Sequence, residues 1–445
     1  MSRLLLKNAA IVTGATSFKG SLGVDGGRIS GIWEGVPSLA GVREIDLEGK
    51  ILMAGAIDTH VHFREPGLTH KADIGSESAA AVLGGVTSFI DMPNTAPPTV
   101  NLATLEDKLR RAGETSLANY GFHIGATNEN AAQIREYIGL GARFAGVKVF
   151  MGSSTGNMLV DREGALDDLF KIKGKTILTH CEDESIVKAN LKRAESIYGE
   201  EIPFSEHSRI RSREACVKST GKALDLALRH GTRLHILHVS TAEEVEMIRE
   251  AKLRNPGITA ETSANYLWFS DEDYDRMGGR LKCNPSVKTA ADREALIKAL
   301  EEGVIDSIGS DHAPHLPEEK ARPYLGCPSG LPTIQHSLPA ALTISLNRGI
   351  PLSRLASAFS EMPATIFGIE DRGFLREGYH ADLVVLDPNR EYTAGPPASK
   401  CGWSPYEGLK FKGSVDMVWV NGSLAAADGK IVEGRKYSRP LLYKS

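Results

Sequence analysis

The chain has 445 residues, of which 41% are hydrophobic and 24% are charged, and its formal net charge is −4. This composition is ordinary for a globular protein, and the length allows one large enzyme domain with a smaller appendage. The mild acidity excludes the basic surface of a nucleic-acid-binding protein, and no apolar run approaches the roughly 20 residues that span a bilayer.

The cellular compartment is indicated by the N-terminus and the cysteines. The first apolar stretch is too short for a secretory signal, and the five cysteines show neither zinc-finger spacing nor a disulfide framework. We therefore expect a cytoplasmic protein with reduced thiols. The cysteines are Cys181, Cys216, Cys283, Cys327 and Cys401.

Both ends of the chain carry the pattern of short β-strands. Residues 4–12 are apolar, and residues 23–32 contain an Asp-Gly-Gly turn. Near the other end, residues 381–387 form an apolar run, and residues 415–420 precede an Asn-Gly hairpin signal. Neither end could bury a core alone. We therefore predict that residues 1–53 and 373–445 pack together as one small, discontinuous β-sandwich domain.

Residues 54–372 alternate apolar strands with helices. Eight strands over about 250 residues match the size of a (β/α)8 TIM-like barrel, an α/β fold. A doubly wound open sheet is the alternative, but no glycine-rich dinucleotide fingerprint supports it. The predicted strands cover residues 51–60, 86–92, 118–125, 146–150, 176–180, 233–239, 258–263 and 305–310, and the predicted helices include residues 72–83, 102–112, 213–228, 242–253 and 290–301.

Four histidines stand at the ends of predicted strands. His60 and His62 are two residues apart, so both side chains point to the same face of the first barrel strand. At the C-terminal end of a barrel strand, that face is the mouth of the barrel, where active sites lie. His180 and His238 end two later strands that are apolar up to the histidine. Neutral imidazole is a common metal ligand, so the four together predict a metal site.

Strand alternation assigns two neighbouring residues to the outside of the barrel. Cys181 follows His180 directly and should point to the opposite face, so we do not count it as a ligand. His235 and His238 are three positions apart, so in a regular strand their side chains point to opposite faces, and we expect His235 to face the helices.

Lys148 lies in the apolar strand 146–150, where an unpaired ammonium is costly to bury. Burial lowers the pKa of a lysine and favours the neutral amine. A neutral amine can add carbon dioxide to form a carbamate, whose two oxygens can bridge two metal ions. A lysine that extends to solvent or pairs with a carboxylate is the alternative. The four histidines and an aspartate favour the carbamate.

Asp311 ends the last predicted strand and faces the same mouth. A carboxylate there can bind a metal and accept a proton from a bridging water. Two cations about 3.5–4 Å apart lower the pKa of that water enough to supply hydroxide at neutral pH. A helix cap is the alternative for Asp311, but it leaves His312 and His315 beside it unexplained.

These residues resemble the cyclic amidohydrolases of the amidohydrolase superfamily, and most closely the dihydroorotases. The resemblance covers nearly the whole chain, including residues 381–388 (ADLVVLDP). It implies two divalent metal ions, for which zinc is the default at histidine-rich hydrolytic sites. It also implies that the lysine is a carbamate bridge and that the aspartate is the catalytic base. The implied metal ligands are His60, His62, Lys148, His180, His238 and Asp311.

Dihydroorotases also resemble this chain in residues 62–67 (HFREPG) and 92–95 (MPNT). The resemblance implies that Arg64, Asn94 and His315 hold the carboxylate of the substrate, and a guanidinium does match a carboxylate bidentately. Allantoinases and hydantoinases share the metal ligands but usually lack this combination, because their rings carry no such carboxylate. Two further implied contacts to the substrate ring are Asn284 and the backbone of residues 327–330.

The implied reaction is the reversible cyclisation of N-carbamoyl-L-aspartate to L-dihydroorotate in de novo pyrimidine biosynthesis. A binuclear centre would supply a bridging hydroxide, and Asp311 would serve as base in one direction and acid in the other. The small polar segment 153–156 is interpreted as a lid or as an ordinary loop. The expected partner is a small-molecule substrate, without nucleic acid or membrane. A homodimer or an association with other pyrimidine-pathway enzymes is left open.

The chain departs from the family at two places. Residues 265–267 (NYL) replace a segment that often carries a histidine pair, and residues 284–288 (NPSVK) stand where NPPLR is common. Neither is a metal ligand, so both bear on loop detail. Some dihydroorotases bridge with an aspartate, which leaves a mononuclear site open. The remaining alternatives are another cyclic amidase, such as allantoinase or dihydropyrimidinase, and a metal-free scaffold for another pyrimidine enzyme.

Overall fold

The computed structural model of the chain describes residues 3–152, 158–432 and 437–444, so the segment 153–156 lies outside the described residues. Strands form where apolar and β-branched residues alternate with turns, beginning at the N-terminus. The first five are β1 (Leu4–Val12), β2 (Ser17–Asp25), β3 (Arg28–Glu34), β4 (Arg43–Asp46) and β5 (Ile51–Ala54).

The middle of the chain supplies the parallel strands of a barrel. They are β6 (Ala56–Val61), β7 (Val86–Asp91), β8 (Asn119–Phe122), β9 (Ile124–Gly125), β10 (Gly146–Phe150), β11 (Thr176–His180), β12 (Leu234–Ile236), β13 (Ile258–Thr262) and β14 (Ser307–Ile308).

These strands pair in sequence order and close on themselves. β6, β7 and β8 form one run, and β9 to β14 form the other. The amide of Ala145 donates to the carbonyl of Phe122 at 2.9 Å and joins the two runs. A parallel bridge between Val61 and His312 closes the ring. With β8 and β9 taken as one interrupted strand, the described residues form eight strands. The predicted (β/α)8 barrel is confirmed, and the open-sheet alternative is wrong.

The predicted strand 51–60 is two strands. β5 joins the sheet of the chain ends, whereas β6 begins the barrel. Gly55 separates them, and a Cβ at this position would lie 2.2 Å from the side chain of Thr87. The apolar run is continuous in sequence, but its first half pairs in the β domain and its second half pairs in the barrel. The change occurs at Gly55, which packs against barrel strand β7.

Helices follow the barrel strands and cover the ring. α1 begins where the carboxylate of Asp73 accepts from the amide of Ser76 at 2.9 Å. None of the helices in the described residues is long and apolar enough to cross a membrane. Their bounds are α1 (Ile74–Leu83), α2 (Leu102–Thr115), α3 (Ala131–Gly139), α4 (Glu163–Phe170), α5 (Glu184–Tyr198), α6 (His207–Ile210), α7 (Arg213–His230), α8 (Ala242–Arg254), α9 (Ala264–Trp268), α10 (Tyr274–Met277), α11 (Ala290–Glu302), α12 (Pro317–Lys320), α13 (Ile334–Arg348), α14 (Leu352–Ala356) and α15 (Met362–Phe367).

The two chain ends form one sheet, as expected for a discontinuous β domain. β3, β2, β1 and β5 are neighbours in that order, β4 pairs with β1, and the four strands of the C-terminal end continue the sheet beyond β5 in chain order. Side chains such as Leu52, Val385 and Trp419 pack inside this domain, whereas Val384 and Leu386 pack in the core of the barrel. The domain limits at 53/54 and 372/373 stay a prediction. The C-terminal strands are β15 (Leu383–Thr393), β16 (Lys410–Val420), β17 (Ser423–Ala427) and β18 (Lys430–Ile431).

Candidate active site

One cavity at the C-terminal mouth of the barrel is lined by all ten of the residues that the sequence nominated. Its volume is about 340 Å³. Residues 328–330 form part of its wall. The ten residues are His60, His62, Arg64, Asn94, Lys148, His180, His238, Asn284, Asp311 and His315. Their roles stay proposals, but the fold brings together side chains up to about 255 positions apart in the chain.

The first two histidines present lone pairs to Asp311. His60 Nδ1 lies 2.7 Å from Glu261 Oε1, and His62 Nδ1 lies 2.8 Å from Asn94 Oδ1. Both of these oxygens are acceptors, so each Nδ1 carries the proton and each Nε2 carries a lone pair. The Nε2 atoms lie 3.2 and 3.1 Å from the same oxygen, Asp311 Oδ1.

This cluster fits a metal ion. Lone pairs on neutral imidazoles and a carboxylate oxygen repel one another unless a cation or a proton lies between them. Candidate ligand atoms of His60, His238 and Asp311 all lie within 4.8 Å of one another. Burial raises the pKa of Asp311, but positive charge on the neighbouring imidazoles, above all on His60 and His62, holds it below its usual range, and a metal ion would do the same while those rings are neutral. A charged carboxylate is therefore available as a ligand or a base.

The other two histidines form a second pair. His180 Nε2 lies 2.8 Å from Glu182 Oε2, so this nitrogen donates, and His180 Nδ1 faces His238 Nε2 at 2.9 Å. His238 Nδ1 is buried without a hydrogen-bond partner among the described residues. Burial holds the pKa of His238 well below its ordinary value, which keeps the ring neutral and able to bind a metal.

Lys148 reaches into the same space from β10 and is 1% exposed. Burial lowers the pKa of its ammonium from 10.5 to about 8, even though the carboxylates of Asp311 and Glu261 oppose the shift. Within the described ranges, no acceptor hydrogen-bonds to its Nζ. The centroid of the Phe150 ring lies 4.7 Å from this Nζ. The lowered pKa makes the neutral amine, which carbamate formation requires, more accessible near neutral pH than in an exposed lysine.

The expectation for His235 was wrong. In the parallel register, Lys148 aligns with Leu178, and Leu178 aligns with His235, so all three side chains share the inner face. His235 Nε2 lies 3.6 Å from Glu261 Oε2. β12 ends at Ile236, and His238 has a left-handed φ of +38°. Alternation therefore does not continue to His238, and both histidines face inward.

Two buried carboxylates that orient the histidines were missed from the sequence. Glu261 holds His60, and Glu182 holds His180 and also pairs with Arg211. Such partners fix the tautomer of a metal-binding histidine. A signal was present, because Glu261 interrupts an apolar strand as Lys148 does, and Glu182 follows His180 at the spacing of His60 and His62.

Arg64 and His315 form the other end of the cavity. Arg64 is 8% exposed, donates from Nε to the carbonyl of Pro314 at 3.1 Å, and places Nη2 3.1 Å from His315 Nε2. Burial lowers the pKa of Arg64 to about 10, so it remains charged at neutral pH. Lys71 Nζ donates to His315 Nδ1 at 3.0 Å, which leaves the ring proton on Nε2.

The segment between β15 and β16 reaches this end from the β domain. Trp403 Nε1 donates to the carbonyl of His315 at 2.7 Å. Ser399 Oγ donates to the buried carboxylate of Glu77, and His312 Nε2 donates to the same oxygen, each at 2.6 Å. His312 follows Asp311 directly, so the β domain holds the loop that carries both Asp311 and His315.

Comparisons with known proteins identify the family of this chain. Residues 51–425 match the model of the Amidohydrolase family. The chain is 32% identical to the dihydroorotase of Methanosarcina acetivorans, over 97% of this chain and 95% of that protein. It is 31% identical to the allantoinase of Deinococcus radiodurans, over 96% of both. The solved L-hydantoinase (dihydropyrimidinase) from Arthrobacter aurescens superposes with a TM-score of 0.93 at 28% identity, covering 99% of this chain and 100% of that one.

Proposed function

We propose that this chain, which belongs to the amidohydrolase family of divalent-metal enzymes, is a dihydroorotase. The observation that carries this proposal is Arg64, a buried guanidinium in the cavity wall. Among the described residues, no Asp or Glu forms an ion pair with it. A buried charge without a counter-ion is costly, and the carboxylate of dihydroorotate would supply one through two parallel hydrogen bonds.

In this proposal, one end of the cavity binds the substrate carboxylate and the other end holds the metal ions. Arg64 binds the carboxylate, with the ring of His315 beside it, and the ring amide then lies at the metal ligands. Two divalent ions, when bound, would supply a hydroxide nucleophile and polarise the ring carbonyl. Asp311 takes the proton of the attacking water and returns it to the departing ring nitrogen. The same aspartate serves ring closure, since the two directions are microscopic reverses. The residues that would hold the ions are His60, His62, carbamylated Lys148, His180, His238 and Asp311.

The metal and the cellular setting are part of the proposal. Zinc suits a site rich in histidine and carboxylate ligands. The reaction would belong to de novo pyrimidine biosynthesis in the cytoplasm. Support for a reducing compartment comes from the five cysteines, all of which are free and buried. A homodimer or an assembly with other enzymes of that pathway is compatible with this role.

The first experiment measures turnover of four rings by purified protein whose metal content is known. The rings are L-dihydroorotate, allantoin, hydantoin and dihydrouracil. We expect metal-dependent turnover of dihydroorotate with close to two ions per chain. A preference for allantoin or for an uncharged ring would contradict the dihydroorotase assignment. An active sample with about one ion per chain would support the dihydroorotase assignment but contradict the proposal of two metal ions bridged by carbamylated Lys148.

The second experiment removes the proposed carboxylate contact. Arg64→Met should raise KM for dihydroorotate by roughly 30-fold or more, because truncating one partner of a buried charge pair costs about 2–5 kcal/mol. Arg110→Met is the matched control, since the Arg110 side chain is 56% exposed on α2 and pairs with Asp107 and Glu114 of the same helix. Dihydrouracil has the same ring without the carboxylate. An equal loss for both rings would argue against carboxylate recognition by Arg64.

A further inference from the structure

A buried lysine lies behind the backbone wall of the cavity. Lys320, at the end of α12, is 3% exposed. Its Nζ donates to the carbonyl oxygens of Pro328 at 2.8 Å, Lys282 at 2.9 Å and Gly330 at 3.0 Å. An ammonium has three N–H donors, and all three are directed to backbone carbonyls. The side chain thus ties two residues of the cavity wall to a fixed point in the protein.

Two neighbouring side chains hold the remaining carbonyls of this segment. Lys282 Nζ donates to the carbonyls of Tyr324 at 2.6 Å and Cys327 at 2.7 Å. His315 Nε2 lies 3.1 Å from the carbonyl of Ser329, to which its ring proton is directed. Every carbonyl from residue 327 to residue 330 therefore has a side-chain donor.

The wall is also fixed at its close contact with the loop that carries His315. Gly330 has a φ of +143°, and a Cβ there would lie 2.6 Å from the carbonyl oxygen of Ala313 and 3.0 Å from His315 Cδ2. A side chain at position 330 would clash with that loop, so the wall packs closely against it. The side-chain donors described above add to this close packing in holding the wall.

These contacts determine which way the wall presents its amides. In a trans peptide, the N–H points opposite to the C=O. Because Lys320 holds the carbonyl of Pro328, the amide of Ser329 is turned to the other side, and residues 328–330 line the cavity. We propose that Lys320 is a positioning residue that fixes this wall so that the Ser329 N–H donates to a carbonyl oxygen of the bound ring. The nature of that ring rests on the proposed function.

The test compares Lys320→Met with Lys298→Met. Lys298 is a matched control, because its side chain is 73% exposed on α11, far in sequence from the wall. Each variant is assayed for metal content, melting temperature, kcat and KM, and for hydrogen exchange of the backbone amides of Cys327, Ser329, Gly330 and Leu331. For Lys320→Met we expect KM to rise roughly 10-fold, the effect of losing one aligned hydrogen bond to the substrate. We also expect faster exchange of the wall amides, with kcat and metal content retained.

Each outcome decides the role of Lys320. A lower melting temperature with an unchanged KM would show a purely structural role and overturn the proposal. Unchanged exchange of the wall would also overturn it, and this readout needs no turnover, so it stands even if the wild type does not act on dihydroorotate. Should Lys320→Met not fold, Lys320→Gln keeps two donors on a shorter side chain. An intermediate KM would support the proposal, and a wild-type KM would contradict it.

Discussion

The two ends of the cavity are built in different ways. At the metal end, His60, Lys148 and His180 stand on barrel strands, and their positions follow from the pairing of the backbone. At the carboxylate end, Arg64 and His315 stand on loops that are held by side-chain contacts from other parts of the chain. Under the proposed function, the barrel itself supports the hydrolytic chemistry, whereas loops held in place by neighbours set the substrate preference.

Backbone strain marks the border between the two ends. Arg64, His238 and Asp311 have left-handed φ values of +67°, +38° and +46°. Such values are uncommon for arginine and histidine, and strained residues persist where the surrounding structure fixes them, often at active sites. All three lie two or three residues beyond the end of a barrel strand and line the cavity.

The largest expected effect is at the metal end. Asp311→Asn keeps the shape and one ligand oxygen but cannot accept the proton of the attacking water. We expect kcat to fall by about 10²–10⁴-fold in both directions, the usual contribution of a general acid or base. The measurement is kcat for ring opening and ring closure at known metal content. A kcat close to that of the wild type would show that another group transfers the proton.

Lys148→Met tests whether Lys148, on strand β10, supplies the proposed carbamate that bridges the two metal ions. We expect fewer than two ions per chain and a loss of activity of at least about 100-fold, the upper range for residues that only support a metal ligand. Lys175→Met is the control, since Lys175 also lies among aromatic rings but directly before β11, at the other end of the barrel. Two ions retained in Lys148→Met would rule out a lysine-derived bridge.

Glu261→Gln should lower metal affinity at the same end of the cavity, with a smaller effect than Lys148→Met. Glutamine has the size of glutamate, but it can place an N–H group opposite His60 Nδ1 and so favour the wrong tautomer. We expect metal affinity to fall about 10–100-fold, as for other partners of metal-binding histidines. Competition with a chelator measures this loss, and unchanged affinity would mean that Glu261 does not orient His60.

The smallest effect is expected at the carboxylate end. Gly330→Ala places a methyl group 2.6 Å from the carbonyl oxygen of Ala313 and forces a strained φ. We expect a loss of stability of about 1–3 kcal/mol and a higher KM, with metal content unchanged. Gly139→Ala is the control, because its Cβ would meet nothing within 4 Å. Metal loss in Gly330→Ala but not in Gly139→Ala would show that the two ends are coupled.

Much of the barrel could be predicted from the sequence. β10 and β11 have the predicted bounds, 146–150 and 176–180, because each is a short run rich in apolar and β-branched residues. The single strand predicted over residues 51–60 divides at Gly55. The division arises because β5 pairs with strands of the β domain and β6 pairs with a strand of the barrel. The apolar run itself does not specify these pairings.

The sequence by itself determined the kinds of ligand and their order along the chain, because each histidine, Lys148 and Asp311 lies in or at the end of a recognisable strand. Only the tertiary structure decided which lone pairs face one another, that His235 points inward, and that Lys148 differs from the fully bonded Lys320. These properties depend on distances between strands far apart in the chain and on left-handed residues that end the alternation. Local patterns of residues do not specify either of them.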